Sequence, residues 1–196
     1  VPLAPLTLSA QITRPGRRFQ IAEAELVSGE RMSCRARAVL LRRGDVPDVP
    51  PGDPAVLDAP GPESIERLDM GPGESFGGTG MDIRFVTGHL YTPGPAVGWF
   101  RIAEPLVDGE EPSPTQRAVA AADFGNGASR VLDWDEWLFI NTDLTVHLHR
   151  EPEGEWVALD ARTALEPDGT GLAWSALHDR RGALGVSLQT LFVDRR

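Results

Sequence analysis

The sequence predicts the α+β class, antiparallel sheet with little helix, and three observations carry that expectation. Apolar and polar residues alternate with period two in many short runs. Glycines and prolines punctuate those runs at hairpin spacing. One segment alone carries helix-start signals. With 196 residues the chain is long enough for one large domain or two small ones, each with a hydrophobic core.

Taken in order, residues 6 to 14, 17 to 27 and 31 to 42 read as three strands of an antiparallel meander, turned at Pro15-Gly16 and Ser28-Gly29. From Gly44 to Gly80 prolines and glycines crowd together, among them Pro47, Pro50, Pro51, Pro54, Pro60, Pro62, Pro72, Gly71, Gly73, Gly77 and Gly78. No long regular element survives such a composition, and the stretch reads as a linker. Its glycines do not form a phosphate loop, because no Lys-Ser/Thr follows them and no strand-to-helix frame surrounds them. Domain boundaries at 1–43, 44–80 and 81–196 follow.

Met81 to Leu90 and Ala96 to Ala103 read as strands around a turn at Thr92 to Pro95. Pro112 to Asp123 reads as the helix: Ser113 caps it, Pro114 suits the first helical position, and Ala118, Val119, Ala121 and Ala122 are small packing residues. Gly125 and Gly127 read as its stop. Four further strands are expected at 138 to 150, 155 to 165, 170 to 179 and 183 to 194, with turns at Gly154, Gly169 and Gly182. Trp99, Trp156 and Trp174 read as core residues.

The formal net charge of -10 disfavours a nucleic-acid partner. All 19 basic residues are arginine, and eight of them (Arg14, Arg17, Arg18, Arg31, Arg35, Arg37, Arg42 and Arg43) fall before residue 44. They read as a solvated strand face or as a local cradle for a phosphorylated ligand. Cys34, the single cysteine, excludes an internal disulfide and reads as an inert core residue. No apolar run reaches bilayer-spanning length and no secretion signal opens the chain, so a cytoplasmic location is expected.

The most informative stretch is Phe139 to Arg150. At period two, Leu138, Ile140, Leu144, Val146 and Leu148 share one strand face, while Asn141, Asp143, Thr145, His147 and His149 share the other. A carboxylate and two imidazoles in an apolar strand pattern mark a candidate site, since burying polar groups is costly.

The last three expected strands match the opening three in length, turn spacing and pattern, with Leu6 to Thr13 aligning to Trp156 to Thr163 and Cys34 to Arg42 to Gly185 to Val193. This is an internal repeat. The first copy lacks its opening strands and helix, so the chain is expected to begin inside a larger protein, in keeping with Val1 at its start. Helix plus long meander, repeated across a proline-rich linker, resembles the double hotdog arrangement of the acyl-CoA thioesterase II family. Phe139 to Arg150, Glu155-Trp156, Thr163, Gly171 to Asp179 and Ser187 to Thr190 resemble that family's C-terminal half in order and spacing, over residues 81 to 196. Residues 1 to 43 resemble the end of a first copy.

The resemblance implies a double hotdog with antiparallel sheets each wrapping a central helix, the first hotdog incomplete. It also implies an acyl-CoA substrate and a water held by Asp143, Thr163 and Gln189, with His149 and Arg150 on the coenzyme A surface or simply at a strand end. Members of the family often carry histidine after the aspartate; here it is Leu144. Ala38 stands opposite Gln189 in the repeat, so one catalytic centre is expected. No cofactor or metal is implied, and a homo-oligomer is expected by analogy with other hotdog sheets.

The chemistry suits these residues. Thioester hydrolysis needs a positioned water and a proton acceptor, which a carboxylate can be, and a glutamine amide donates and accepts at once. Two other classes remain open on sequence. His147 and His149 with Asp143, and His89 or His178 as third ligand, would suit a metal hydrolase. Hotdog folds also host proteins that bind acyl thioesters without hydrolysing them.

Overall fold

The computed structural model describes residues 4–50, 55–71 and 75–196. Val1, Pro51, Pro54, Pro72 and Gly73 therefore lie outside the described residues. The chain divides into two compact units, Val1–Gly52 and Asp53–Arg196.

The first unit is the expected meander: β1 (Thr7–Arg14), β2 (Phe19–Ser28) and β3 (Arg31–Leu41) pair antiparallel in sequence order. Register places Glu25 opposite Arg35 and Glu23 opposite Arg37. Arg35 and Glu25 form an ion pair at 2.6 Å, and Arg14 stacks 3.9 Å over the Phe19 ring. Arg35 and Arg37 thus pair with cross-strand glutamates on a solvated face, as the first of the two expectations has it. Cys34 is exposed, contrary to the core expectation. Almost all of β1 and β3 is exposed, because alternation alone buries nothing without a second layer.

The second unit carries a seven-stranded antiparallel sheet. Its strands are β4 (Met81–His89), β5 (Thr92–Ile102), β6 (Trp137–Asn141), β7 (Thr145–Leu148), β8 (Val157–Leu165), β9 (Thr170–Asp179) and β10 (Gly182–Arg195). The order is β4-β5-β8-β9-β10-β6, with β7 also on β10. The sheet curls against α1 (Pro114–Ala122) and a further helical turn, α2 (Gly125–Ala128). Ser113 caps α1 through a reciprocal capping box with Gln116. Ala118, Ala121 and Ala122 are fully buried, letting the helix approach the sheet closely, and Met81, Ile83, Phe100, Val157, Leu159, Leu177 and Leu184 fill the core around it. Val119, expected to pack, is exposed.

Three further expectations change. The β4–β5 turn is the tight Leu90-Tyr91 step, with His89 opposite Thr92, so Pro93 and Pro95 lie within β5. They are tolerated because β8 joins β5 only from Ala96 onward, leaving the proline end as a sheet edge. Trp174 faces outward, since both its chain neighbours Ala173 and Ser175 are buried, whereas Trp99 is core. Trp156 is half-buried, with the Arg84 and Arg101 guanidiniums 5.0 and 5.1 Å from its ring. Residues 55–71 and 75–80 hold only a 3-10 turn (Pro62–Ser64) and one helical turn (Phe76–Gly80), as their composition requires. They are nonetheless fastened to the second unit by Trp99 Nε1 donating to Pro60 O, Arg84 Nη1 to Pro62 O and Leu68 N to Ile83 O. Among the described residues no helix is long and apolar enough to cross a membrane.

Candidate active site

The expected strand 138 to 150 is broken. Asn141 opposes Leu191 and Thr145 opposes Leu188, so four steps on this side face three on β10. The extra residue is a bulge, and it reverses the facing of everything before it. Leu144, Val146 and Leu148 are half-buried as expected, but on β6 it is Phe139 that is buried, at 5% exposed, and Ile140 that is exposed. The bulge grips Thr190: Thr142 N donates to Thr190 O at 2.9 Å, and Thr190 N donates to Asp143 Oδ1 at 2.9 Å. Asp143 is exposed, and its Oδ2 has no hydrogen-bond partner among the described residues.

Gln189, beside Thr190, points the other way and is 1% exposed. Its Oε1 accepts from Asn126 N at 2.8 Å and its Nε2 donates to Asp123 O at 3.1 Å. These partners fix the amide's orientation, since a backbone N–H only donates and a carbonyl only accepts. One amide hydrogen and one oxygen lone pair are left over. Thr163 Oγ1 lies 2.7 Å from Ser129 Oγ, which donates to Gly125 O at 2.8 Å. Ser129 has one hydroxyl hydrogen, so Thr163 must be the donor, leaving Thr163 Oγ1 free to accept.

Register ties two of the three together. Thr163 and Gln189 both oppose Ala173, from β8 and β10, whereas the exposed Asp143 accepts from the backbone of Thr190, the next residue along β10. Both Thr163 and Gln189 anchor the segment 123–129. Gly125, read from sequence as a helix stop, instead sits inside α2, where a Cβ would lie 2.9 Å from Ser175 Oγ and 3.0 Å from Gln189 Oε1. Asn126, Ser129 and Ser175, all buried here, were missed by sequence reasoning. Single amides and hydroxyls in small-residue segments carry no periodic signal, and only their partners mark them out.

Arg150 uses all five guanidinium hydrogens internally: two on the fully buried Asp179 carboxylate at 2.6 Å each, and the others on Ala183 O, Gly182 O and Glu151 O. This commits it to holding β7, β9 and β10 together. His149 is exposed and donates its backbone N–H to Leu184 O. His147 is exposed opposite Val186, His89 packs between Phe85 and Tyr91, and His178 is buried. Among the described residues no three His, Cys, Asp or Glu side chains gather as a metal-holding group. A depression of the second unit, about 560 Å³ and lined by residues including Leu132, Trp137, Leu165, Phe192 and Val193, contains none of the predicted site residues.

A curled antiparallel sheet on a short helix, with a polar row beneath it, defines a hotdog-type protein. The fold is similar to that of a candidate thioesterase II from Thermobifida fusca YX, at 20% identity over 97% of this chain and 73% of that one, with a TM-score of 0.74. It is also similar to acyl-CoA thioesterase II TesB2 from Mycobacterium marinum (16% identity, 96% and 73% coverage, TM-score 0.65). A protein of unknown function with a hot dog fold from Alicyclobacillus acidocaldarius matches at 16% identity, 99% and 75% coverage and a TM-score of 0.67. At such identities the likeness speaks to fold alone. No curated protein matches the chain. The family model for the acyl-CoA thioesterase C-terminal domain matches residues 49–193, and the chain belongs to that family.

Proposed function

We propose that the protein hydrolyses a fatty acyl-CoA to the free acid and coenzyme A, with Asp143, Thr163 and Gln189 holding and activating the attacking water. The observation that supports this reading is that Thr163 and Gln189 oppose the same Ala173, that Asp143 bonds the residue next to Gln189, and that each of the three keeps hydrogen-bonding capacity unused: Asp143 Oδ2, the accepting side of Thr163 Oγ1, and one hydrogen and one lone pair of the Gln189 amide. Water held by Thr163 and Gln189 attacks the thioester carbonyl carbon while Asp143 takes its proton. The tetrahedral oxyanion then collapses, the C–S bond breaks, and the departing thiolate recovers the proton from Asp143. An activated acyl group lets this modest apparatus suffice.

His149, exposed at the end of β7, is proposed to face the coenzyme, with Arg150 fixing the strand that carries it. The opening meander is proposed to be the closing strands of a first hotdog; the consecutive antiparallel orders β1-β2-β3 and β8-β9-β10 support this. The test is thiol release from acyl-CoAs of increasing chain length. Wild type is expected to turn over, and Asp143→Ala and Gln189→Ala to lose on the order of a hundredfold in kcat with acyl-CoA binding retained. Saturable binding with no thiol released by wild type would make the protein a binding module instead.

A further inference from the structure

Ser175 lies on the inner face of β9, 1% exposed, and its Oγ is a buried polar atom without a hydrogen-bond partner. Buried hydroxyls in folded proteins are normally paired, so an orphan beside a candidate site needs a reason. Register makes Ser175 and Gln189 diagonal neighbours, since Gln189 opposes Ala173 and Ser187 opposes Ser175. A side chain as long as glutamine spans that diagonal. Both oxygens also flank one bare backbone position: a Cβ on Gly125 would lie 2.9 Å from Ser175 Oγ and 3.0 Å from Gln189 Oε1. The hydroxyl has a hydrogen with no acceptor, and Oε1, holding only the Asn126 N–H, has a lone pair with no donor.

We propose that Ser175 is a positioning residue for hydrolysis: in the reacting complex its hydroxyl donates to Gln189 Oε1 across Gly125 and fixes the amide that holds the water. The Thr163–Ser129–Gly125 chain secures the same helical turn from the β8 side, so the turn that the amide binds is itself held in place. This rests on the role proposed above for Gln189.

A double-mutant cycle with a spectroscopic arm tests it. Ser175→Ala is expected to lower kcat about fivefold to tenfold with KM within about twofold. Combined with Gln189→Ala it is expected to cost nothing further, because a group acting through Gln189 has nothing left to position. A purely structural serine would add its full loss in both backgrounds, and that result overturns the inference, as does wild-type turnover in Ser175→Ala. The side-chain amide resonances of Gln189, identified by their loss in Gln189→Ala, are expected to shift and to exchange faster in Ser175→Ala. Unchanged resonances overturn the Ser175–Gln189 contact whatever the activity, whereas a wild type that does not hydrolyse acyl-CoA would remove the positioning role together with the proposed activity and leave the contact itself to the resonances.

Discussion

Thr163 and Gln189 face each other across Ala173, each opposing that one residue from a neighbouring strand. Strand spacing puts their backbones roughly 10 Å apart. Ala173 is 1% exposed and too small to fill the interval, so the residues that fill it are those of the turn from Asp123 to Ser129, held by both side chains. The polar row and the helix end therefore form one mechanical unit.

The hydroxyl of Thr163 matters more than its methyl group. Thr163→Ser keeps the donor to Ser129 and is expected to retain kcat within about threefold, whereas Thr163→Ala removes both that donor and the proposed acceptor for water and is expected to lose on the order of tenfold or more. Thiol-release kinetics on the two variants decide the point. Equal losses would mean that packing, rather than the hydroxyl, is what the site needs.

Two glycines of α2 are expected to respond oppositely to alanine. At Gly125 the new methyl meets Ser175 Oγ and Gln189 Oε1 at 2.9 and 3.0 Å, so Gly125→Ala is expected to cost about 1–3 kcal/mol and to displace the amide. At Gly127 the nearest atom is Leu90 Cδ1 at 3.7 Å, an ordinary contact. Gly127→Ala is expected to be neutral or stabilising by up to about 1 kcal/mol, since alanine is the better helix former. Denaturant midpoints of the two variants give the comparison directly.

Stability is expected to fall with acid in two stages. Burial pushes the His178 imidazole below its ordinary 6.5, against the nearby Ala55 backbone, Asp160 and Asp179, which favour its charge, and with Arg150, which opposes it. The unfolded chain then protonates first as pH drops under 6.5, so stability declines from there and levels off once the folded pKa is passed. For Asp179 and Asp82 burial acts to raise the pKa. Hydrogen bonds outweigh it, from Arg150 and the Glu153 and Arg181 amides to Asp179, and from Arg84 and Arg101 to Asp82, and both carboxyls lie below the ordinary 3.8. Their contribution is complete above that value and is lost as pH falls through the folded pKa. Unfolding midpoints between about pH 3 and 8 are expected to show both limbs, with His178→Gln removing only the upper one.

Much of the fold was legible because its signals are local. Period-two runs located the strands of both sheets, and Ser113 with Pro114 marked the start of α1, since a cap is a matter of adjacent residues. The bulge at Thr142 and Asp143 was not legible. One extra residue changes no composition, yet it moves Phe139 inside and Ile140 outside, because side-chain facing is counted from the pairing partner and that partner, β10, lies some fifty residues away. For the same reason Cys34 and Trp174 proved exposed: residue type favoured burial, and layer and parity decided otherwise.

The sequence by itself determined the α+β class, the positions of most strands and the helix, the polar candidates Asp143, Thr163 and Gln189, and the resemblance that pointed to the thioesterase family. Only the tertiary structure decided that Thr163 and Gln189 share a row through Ala173, that Gly125 belongs to a helical turn pressed against an amide, and that Arg150 is committed to Asp179. Propensity and patterning act over a few residues, whereas register, close approach and the pairing of buried polar atoms are set by which distant segments the sheet brings side by side.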